Sequence, residues 1–144
     1  MAKPKDLLAR GFNVFHRNLY RWSGGKVGGK GYGMPVVILT TTGRKSGQKR
    51  PTVLTSPIQD GDTAVLVASW GGDDRHPLWY LNLVADPEVE LEIHGKKRAM
   101  TARVATSEEK AELWPRVVAA HKGYASYQSK TDRDIPLVIL EPRA

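Results

Sequence analysis

Residues 52–58 and 63–69 are two β-branched, apolar runs with only four residues between them, and Asp60-Gly61 sits in that gap. A link this short turns the chain straight back on itself, because a parallel pair needs a crossover of a dozen residues or more. The same constraint recurs along the chain. Residues 36–42 (VVILTTT) pass through the polar stretch 43–50 (GRKSGQKR) into 52–58. Val89, Leu91 and Ile93 alternate with Glu88, Glu90 and Glu92, Gly95 turns the chain, and Met100, Ala102 and Val104 then alternate with Thr101 and Arg103. A last run, 137–140, is closed by Glu-Pro. About six strands with hairpin links predict an antiparallel α+β fold or a small barrel rather than a doubly wound sheet.

Helices punctuate this pattern. Leu8, Phe12, Phe15, Leu19 and Trp22 fall at intervals of 4, 3, 4 and 3, which predicts an amphipathic helix over 5–22. Lys5, Arg10, Arg17 and Arg21 lie largely off its apolar stripe. The stripe suits packing on the domain, and the basic face also suits an anionic membrane surface. Residues 24–33 hold six glycines in ten, so 23–34 reads as a loop. Pro77 opens a helix over LWYLNLVAD. Thr106, Ser107, Glu108 and Glu109 form a capping box ahead of Leu113, Trp114, Val117 and Val118, and Pro115 is expected to kink or split that helix. A short aromatic segment over 123–130 reads as helical.

The chain has 144 residues, enough for one domain over 1–144 with one real core. It has no Cys, which removes thiol nucleophiles, disulfides and Cys-based metal sites. The longest apolar runs are too short to span a membrane, and the N-terminus lacks a secretory core, so a cytoplasmic location is expected. The net charge of +7 is unevenly placed. Residues 1–50 carry eleven Lys and Arg against Asp6 alone, a net of +10, and 51–144 carry −3. That imbalance predicts an anionic partner for the first third.

Several motifs fail on inspection. Gly24, Gly29 and Lys30 approach a nucleotide-phosphate loop, but Gly31 stands where Ser or Thr should bind magnesium, and the stretch follows a helix rather than a strand. His16, His76, His94 and His121 lack metal-ligand spacing, no serine has a nucleophile context, and no metal is expected. An enzyme built from these residues would draw its chemistry from a bound cofactor. The stretch 43–50 is the strongest chemical feature: two glycines let N–H groups converge on an anion, and Arg44, Lys45, Lys49 and Arg50 supply charge. Ala68-Ser69-Trp70-Gly71-Gly72 closes a strand just ahead of Pro77, Leu78 and Trp79, a plausible cradle for a planar ring or an anion. Tyr124 and Tyr127, three apart, share a helix face.

Taken together, the segments 20–25 (YRWSGG), 35–48 (PVVILTTTGRKSGQ), 68–72 (ASWGG), 77–83 (PLWYLNL), 124–128 (YASYQ) and 133–136 (RDIP) resemble the deazaflavin-dependent nitroreductase family. The resemblance implies a flavin-reductase-like split β-barrel and an oxidoreductase using reduced coenzyme F420 (F420H2). This cofactor is a deazaflavin whose tail carries a phosphodiester and a chain of glutamates. By that resemblance Arg44, Lys45, Ser46, Gly47 and Arg50, with Lys49 more loosely, bind the tail. Ala68, Ser69, Trp70, Gly71, Gly72, Pro77, Leu78 and Trp79 hold the ring. Ser69, Tyr124 and Tyr127 stand beside the ring where an electrophilic small molecule (an activated alkene, enone, quinone or nitroaromatic) accepts hydride. His121 occupies the place of one family tyrosine, and Thr55 and Ser56 stand where apolar or aromatic residues are usual. Two alternatives stay open on the residues themselves: an FMN enzyme on the same barrel, which needs fewer cations, and a basic β-barrel that binds nucleic acid. Against the second, the cations of the turn sit beside glycines rather than stacking aromatics.

Overall fold

A computed structural model describes residues 30–31 and 33–143. The helix expected over 5–22, most of the glycine loop expected over 23–34, and His16 lie outside the described residues. Among the described residues there are eight strands: β1 (Lys30–Gly31), β2 (Met34–Thr42), β3 (Lys49–Thr55), β4 (Ile58–Asp60), β5 (Thr63–Val67), β6 (Glu88–Ile93), β7 (Lys96–Val104) and β8 (Leu137–Pro142). Three helices accompany them: α1 (Leu78–Ala85), α2 (Ser107–Ala120) and α3 (Gly123–Ser129). Among the described residues no helix is long and apolar enough to cross a membrane.

Every strand pairing is antiparallel. The main path runs β2-β6-β7-β8-β5-β4, with β3 and β1 each paired to β2. The two ends of this curled sheet, β3 and β4, are consecutive in the chain and are joined by Ser56 and Pro57 alone. The sheet therefore nearly closes on itself, which is the split-barrel arrangement.

The expected single strand over 52–58 is two strands. The break has a physical cause: Pro57 has no N–H to continue a ladder. Ser56 is fully buried and turns the corner. Its N–H donates to Pro35 O at 3.0 Å, and its hydroxyl lies 2.8 Å from Val65 O. The hairpin itself forms as expected but one residue later, with Asp60 paired to Thr63 across Gly61 and Asp62. Lys49 and Arg50, read as part of the turn, are the first residues of β3, paired with Thr42 and Thr41.

Two apolar layers explain the two kinds of strand pattern. The barrel interior gathers Val37, Leu39, Leu66, Leu91, Met100, Val138 and Leu140, and α1 seals it with Trp79 and Leu83. The outer face of β5 and β8 (Val65, Val67, Leu137, Ile139) is covered by Val117 of α2 and Tyr124 of α3. β5 and β8 are thus buried on both sides and read as unbroken apolar runs, whereas β6 and β7 face water on one side and alternate. Removing a plug such as Leu83 to Ala would cost about 2–5 kcal/mol.

The capping box forms: Thr106 Oγ1 accepts from Glu109 N at 3.1 Å, and Thr106 N donates to Glu109 Oε1 at 3.0 Å. Pro115 does not split α2, which runs unbroken from Ser107 to Ala120. Ala111 and Pro115 are both exposed, so the carbonyl freed by the proline faces water.

Candidate active site

The basic turn caps the β2–β3 hairpin. Gly43 N donates to Gln48 O and Gly47 N to Gly43 O, both at 2.8 Å, which folds 43–48 into a tight loop. Gly47 has φ +72. A Cβ on Gly43 would stand 2.6 Å from Ser46 Oγ, so a side chain there would dislodge that hydroxyl. Ser46 Oγ in turn accepts from Gln48 N at 3.2 Å and from Arg50 Nη2 at 3.3 Å. Lys49 Nζ donates to Thr42 Oγ1 at 3.2 Å. Arg44, Lys45, Lys49 and Arg50 are all exposed, and none of them pairs with a carboxylate among the described residues.

One residue ties this turn to the rest of the site, and it has no assigned role in the sequence reading. Asn82 of α1 is buried (8% exposed), accepts Arg44 N at Oδ1 (3.1 Å) and donates from Nδ2 to Thr41 Oγ1 (3.1 Å). A buried amide with both ends satisfied is a rigid peg. Its signal in the sequence is a lone Asn in the otherwise apolar and aromatic helix segment LWYLNLVA. Leu78, at the start of α1, lies four residues or about 6 Å along the helix from Asn82.

Immediately before α1, residues 68–77 make the second component. Trp70 (φ +44), Gly71 (φ +64) and Gly72 (φ +84) are three consecutive residues in the left-handed region. Trp70 is the only one of the three with a side chain, so that conformation costs energy there and must be held by its surroundings. Gly72 N donates to Ser69 O at 3.0 Å and Asp73 N to Trp70 O at 3.1 Å. A Cβ on Gly72 would meet Tyr127 O at 2.8 Å, so this glycine lets the turn press against the backbone of α3. Ser69 is buried (7% exposed), Pro77 is buried, Leu78 is exposed (49%) and Trp79 is buried (6%) in the barrel interior.

The third component is aromatic. The rings of His121, Tyr124 and Tyr127 are mutual neighbours, with centroids 5.2, 6.1 and 6.0 Å apart. His121 folds back over Gly123, where a Cβ would come within 2.3 Å of its Nε2. The Tyr124 hydroxyl lies 3.3 Å from Thr55 Oγ1 and 3.7 Å from Met34 Sδ. Burial raises the pKa of Tyr124, outweighing the Thr55 contact that lowers it, so the group is a neutral O–H donor at physiological pH. Tyr127 is half-buried, with Lys130 Nζ 5.7 Å from its ring centre.

The predicted residues thus fall into three groups. The ring loop touches α3 through Gly72 and leads into α1, and α1 grips the basic turn through Asn82. The basic turn and the Thr55–Tyr124 contact lie at opposite ends of β3, about 20 Å apart along the strand. Exposed cations thus stand at one end of β3, and at the other stands the Thr55–Tyr124 contact, whose helix α3 touches the strained, glycine-rich ring loop. Among the described residues no group of His, Asp and Glu could hold a metal ion.

The model of the F420H(2)-dependent quinone reductase family matches residues 14–142, and the chain belongs to that family. An F420H(2)-dependent quinone reductase of Mycobacterium tuberculosis is 41% identical over 132 residues, covering 89% of this chain and 88% of that protein. Among solved structures, an F420-H2 dependent reductase is 44% identical with a TM-score of 0.68, covering 74% of this chain and 94% of its own. A domain-swapped dimer is 38% identical with a TM-score of 0.70, covering 96% of this chain and all of its own. The expected deazaflavin-dependent oxidoreductase and its split barrel are borne out, and reduced coenzyme F420 is the family's cofactor.

Proposed function

We propose that the chain, acting as one F420-binding domain over 1–144, transfers a hydride from F420H2 to a small electrophilic acceptor. Quinones come first, and activated alkenes, enones and nitroaromatics share the same acceptor chemistry. The observation that carries this reading is the Asn82 bridge, which sets a cationic turn with no carboxylate partner among the described residues about one helical turn from the start of α1. The residues present fit the cofactor on the chemistry of the donor set: exposed cations for a phosphodiester and glutamates, and a glycine turn whose Gly71 has open space where a Cβ would stand. The glycine N–H groups of the basic turn are spent inside the loop, so its side chains would carry the contact.

In this reading Arg44, Lys45, Ser46, Gly47 and Arg50 hold the anionic tail, and Lys49 assists from the first residue of β3. Charge-assisted N–H···O⁻ contacts are the stronger kind and tolerate a tail of variable length. Ala68, Ser69, Trp70, Gly71 and Gly72 seat the ring with their backbone, flanked by Pro77 and Leu78, and Trp79 supports them from the barrel interior. When bound, reduced F420 supplies a hydride at C5. Ser69 and the tyrosines Tyr124 and Tyr127 stand at the acceptor side, where a neutral O–H donor stabilises negative charge developing on an acceptor oxygen. Tyr124 reaches that role by exchanging its contact with Thr55. Holding two flat partners in near-attack geometry is the main contribution of the protein.

The location is proposed as cytoplasmic, with the basic, apolar-striped stretch 5–22 as a candidate for peripheral contact with anionic lipid near lipophilic quinones. Flotation with anionic liposomes, comparing the full chain with one lacking residues 1–22, tests that contact; equal recovery ends it. The functional reading is tested by titrating the purified protein with F420 and with FMN, then following F420H2 oxidation against quinones, enones and nitroaromatics. F420 binding with turnover of at least one acceptor class is expected. Tight FMN binding without F420 binding overturns the reading.

A further inference from the structure

The stretch between α3 and β8 contributes one side chain to the ring loop, and that side chain makes four contacts with it. Arg133 Nη2 donates to Ala68 O (3.0 Å) and Ser69 O (2.9 Å), and Nε donates to Asp73 O (2.8 Å). Nη1 lies 3.1 Å from His76 Nδ1. The three carbonyls bracket the left-handed run Trp70, Gly71 and Gly72. Strain of this kind persists only where the surroundings over-determine it. A half-buried guanidinium with every nitrogen engaged on one loop does that.

The fourth contact constrains a proton. A guanidinium has only donors, so Nδ1 of His76 accepts with its lone pair, and the neutral ring carries its proton on Nε2. Protonating Nδ1 would set donor against donor and cation against cation. The His76 ring lies against Tyr80, tilted by 35° with centroids 4.7 Å apart. His76 also lines a cleft of about 210 Å³ with Tyr80 of α1, Lys110 of α2, and Asp134, so the ring is within reach of solvent protons. The other charges facing this corner come from the loop and from Lys110 and Asp134 across the cleft. Asp73 is held by Arg75 through its N, Nε and Nη2, and both Asp73 and Asp74 act on the charge of Arg133. Lys110 is turned toward Asp134, Gln128 Oε1 and Ile135 O.

We propose that Arg133 is the positioning residue of the hydride-transfer site, and that His76 is its latch: neutral, it completes the clamp on the ring loop, and protonated, it opens it. The inference rests on the assignment of 68–72 to the ring made above. Burial, then Arg133, lowers the pKa of His76 below its ordinary 6.5. The neutral form is therefore the native one, the clamp is closed above 6.5, and it is lost as pH falls through the lowered value.

The test uses Arg133→Lys, Arg133→Met and His76→Asn in the full chain. Lysine offers its donors at one point and cannot span three carbonyls, whereas Asn presents an acceptor near Nδ1 that does not titrate here. In the cofactor-free protein, protection factors of the 68–76 amides, normalised to the intrinsic exchange rate at each pH, should fall in both Arg133 variants, and in the wild type as pH falls below 6.5, but not in His76→Asn. Ring ¹⁵N shifts should show His76 protonated on Nε2 at pH 8. In turnover, Arg133→Lys should lose about tenfold or more in kcat, with Kd for F420 changed by less than about threefold, because the tail is gripped elsewhere. Normalised to its own value at pH 8, His76→Asn should lack the acid limb of kcat that the wild type shows. Unchanged exchange in Arg133→Lys, or an acid limb retained by His76→Asn, overturns the proposal. If Arg133→Met fails to fold, the other two variants decide. Absence of F420H2 oxidation by the wild type would strike the functional reading instead, and the exchange and ¹⁵N results would still judge the clamp.

Discussion

The two ends of the proposed cofactor track are built on opposite principles. At the basic turn, four cations stand exposed with no carboxylate partner among the described residues, and the loop is pegged to the barrel through its backbone at Arg44 N. At the ring loop, Arg133 is half-buried and donates to three backbone carbonyls, and even the neighbouring carboxylate Asp73 is committed to Arg75. Elsewhere on the surface the same economy holds: Arg98 pairs with Asp62, Arg116 with Asp60, and Arg103 with both Glu109 and Glu141. In the proposed reading, the cations without a carboxylate partner among the described residues would gather a flexible anion from water, and the fully engaged Arg133 would hold a flat ring in place, since misplacing a reacting atom by about 1 Å can cost a hundredfold in rate.

Breaking the rigid end should have the largest effect. Gly72→Ala forces a side chain into φ +84 and against Tyr127 O at 2.8 Å. It should destabilise the protein by about 2–4 kcal/mol, read as a drop in the denaturant midpoint. A midpoint within experimental error of wild type would mean that the turn adapts and is not rigid. Breaking the soft end should leave the fold intact. Arg44→Glu with Lys45→Glu should raise the Kd for F420 by about 30- to 100-fold at low salt, with little change in melting temperature. The wild-type Kd should itself rise with salt more steeply than that of the double variant. Equal affinity in the two proteins would make the turn a solvated loop only.

Asn82 is where the two ends meet, so Asn82→Ala sharpens the contrast. It leaves Arg44 N and Thr41 Oγ1 without their partner, and should cost about 1–2 kcal/mol of stability together with about tenfold in F420 affinity. Loss of one without the other would show that the peg serves only one end. The smallest effect is a control on the paired surface charges. The Arg103 guanidinium, then the Thr106 N–H, hold the Glu109 carboxyl at about 2 against its ordinary 4.5. A depressed carboxylate stabilises the fold at pH above 4.5, and that contribution disappears as pH falls toward 2. Glu109→Gln should flatten this part of the acid unfolding curve and leave F420 binding where it was; a change in binding would couple α2 to the site.

Much of the architecture was legible because it is local. The Glu88–Ile93 alternation, the Asp60-Gly61 turn signal and the Thr106 capping box each encode their element within a few residues, and each appears. The basic turn was legible for the same reason, as its glycines and cations are contiguous. The break at Ser56 and Pro57 was not, although the proline pointed to it. Ending β3 there depends on Pro35 O and Val65 O, supplied by two distant strands. Pro115 pointed to a split that α2 does not make; it is tolerated within the helix, and the carbonyl left without its bond, on exposed Ala111, faces water.

The amino-acid sequence by itself determined an antiparallel, hairpin-linked fold, the absence of thiol chemistry, and a cationic turn suited to an anionic tail. Tertiary structure alone decided that Asn82 would bind that turn from 38 residues away, and that Arg133 would reach 65 residues back to Ala68. It also decided that Tyr124 would meet Thr55 across 69 residues. Periodicity and turn chemistry are written between neighbours, whereas a site is made of polar atoms that find one another only after the sheet has curled. Barrel closure decides which of them meet.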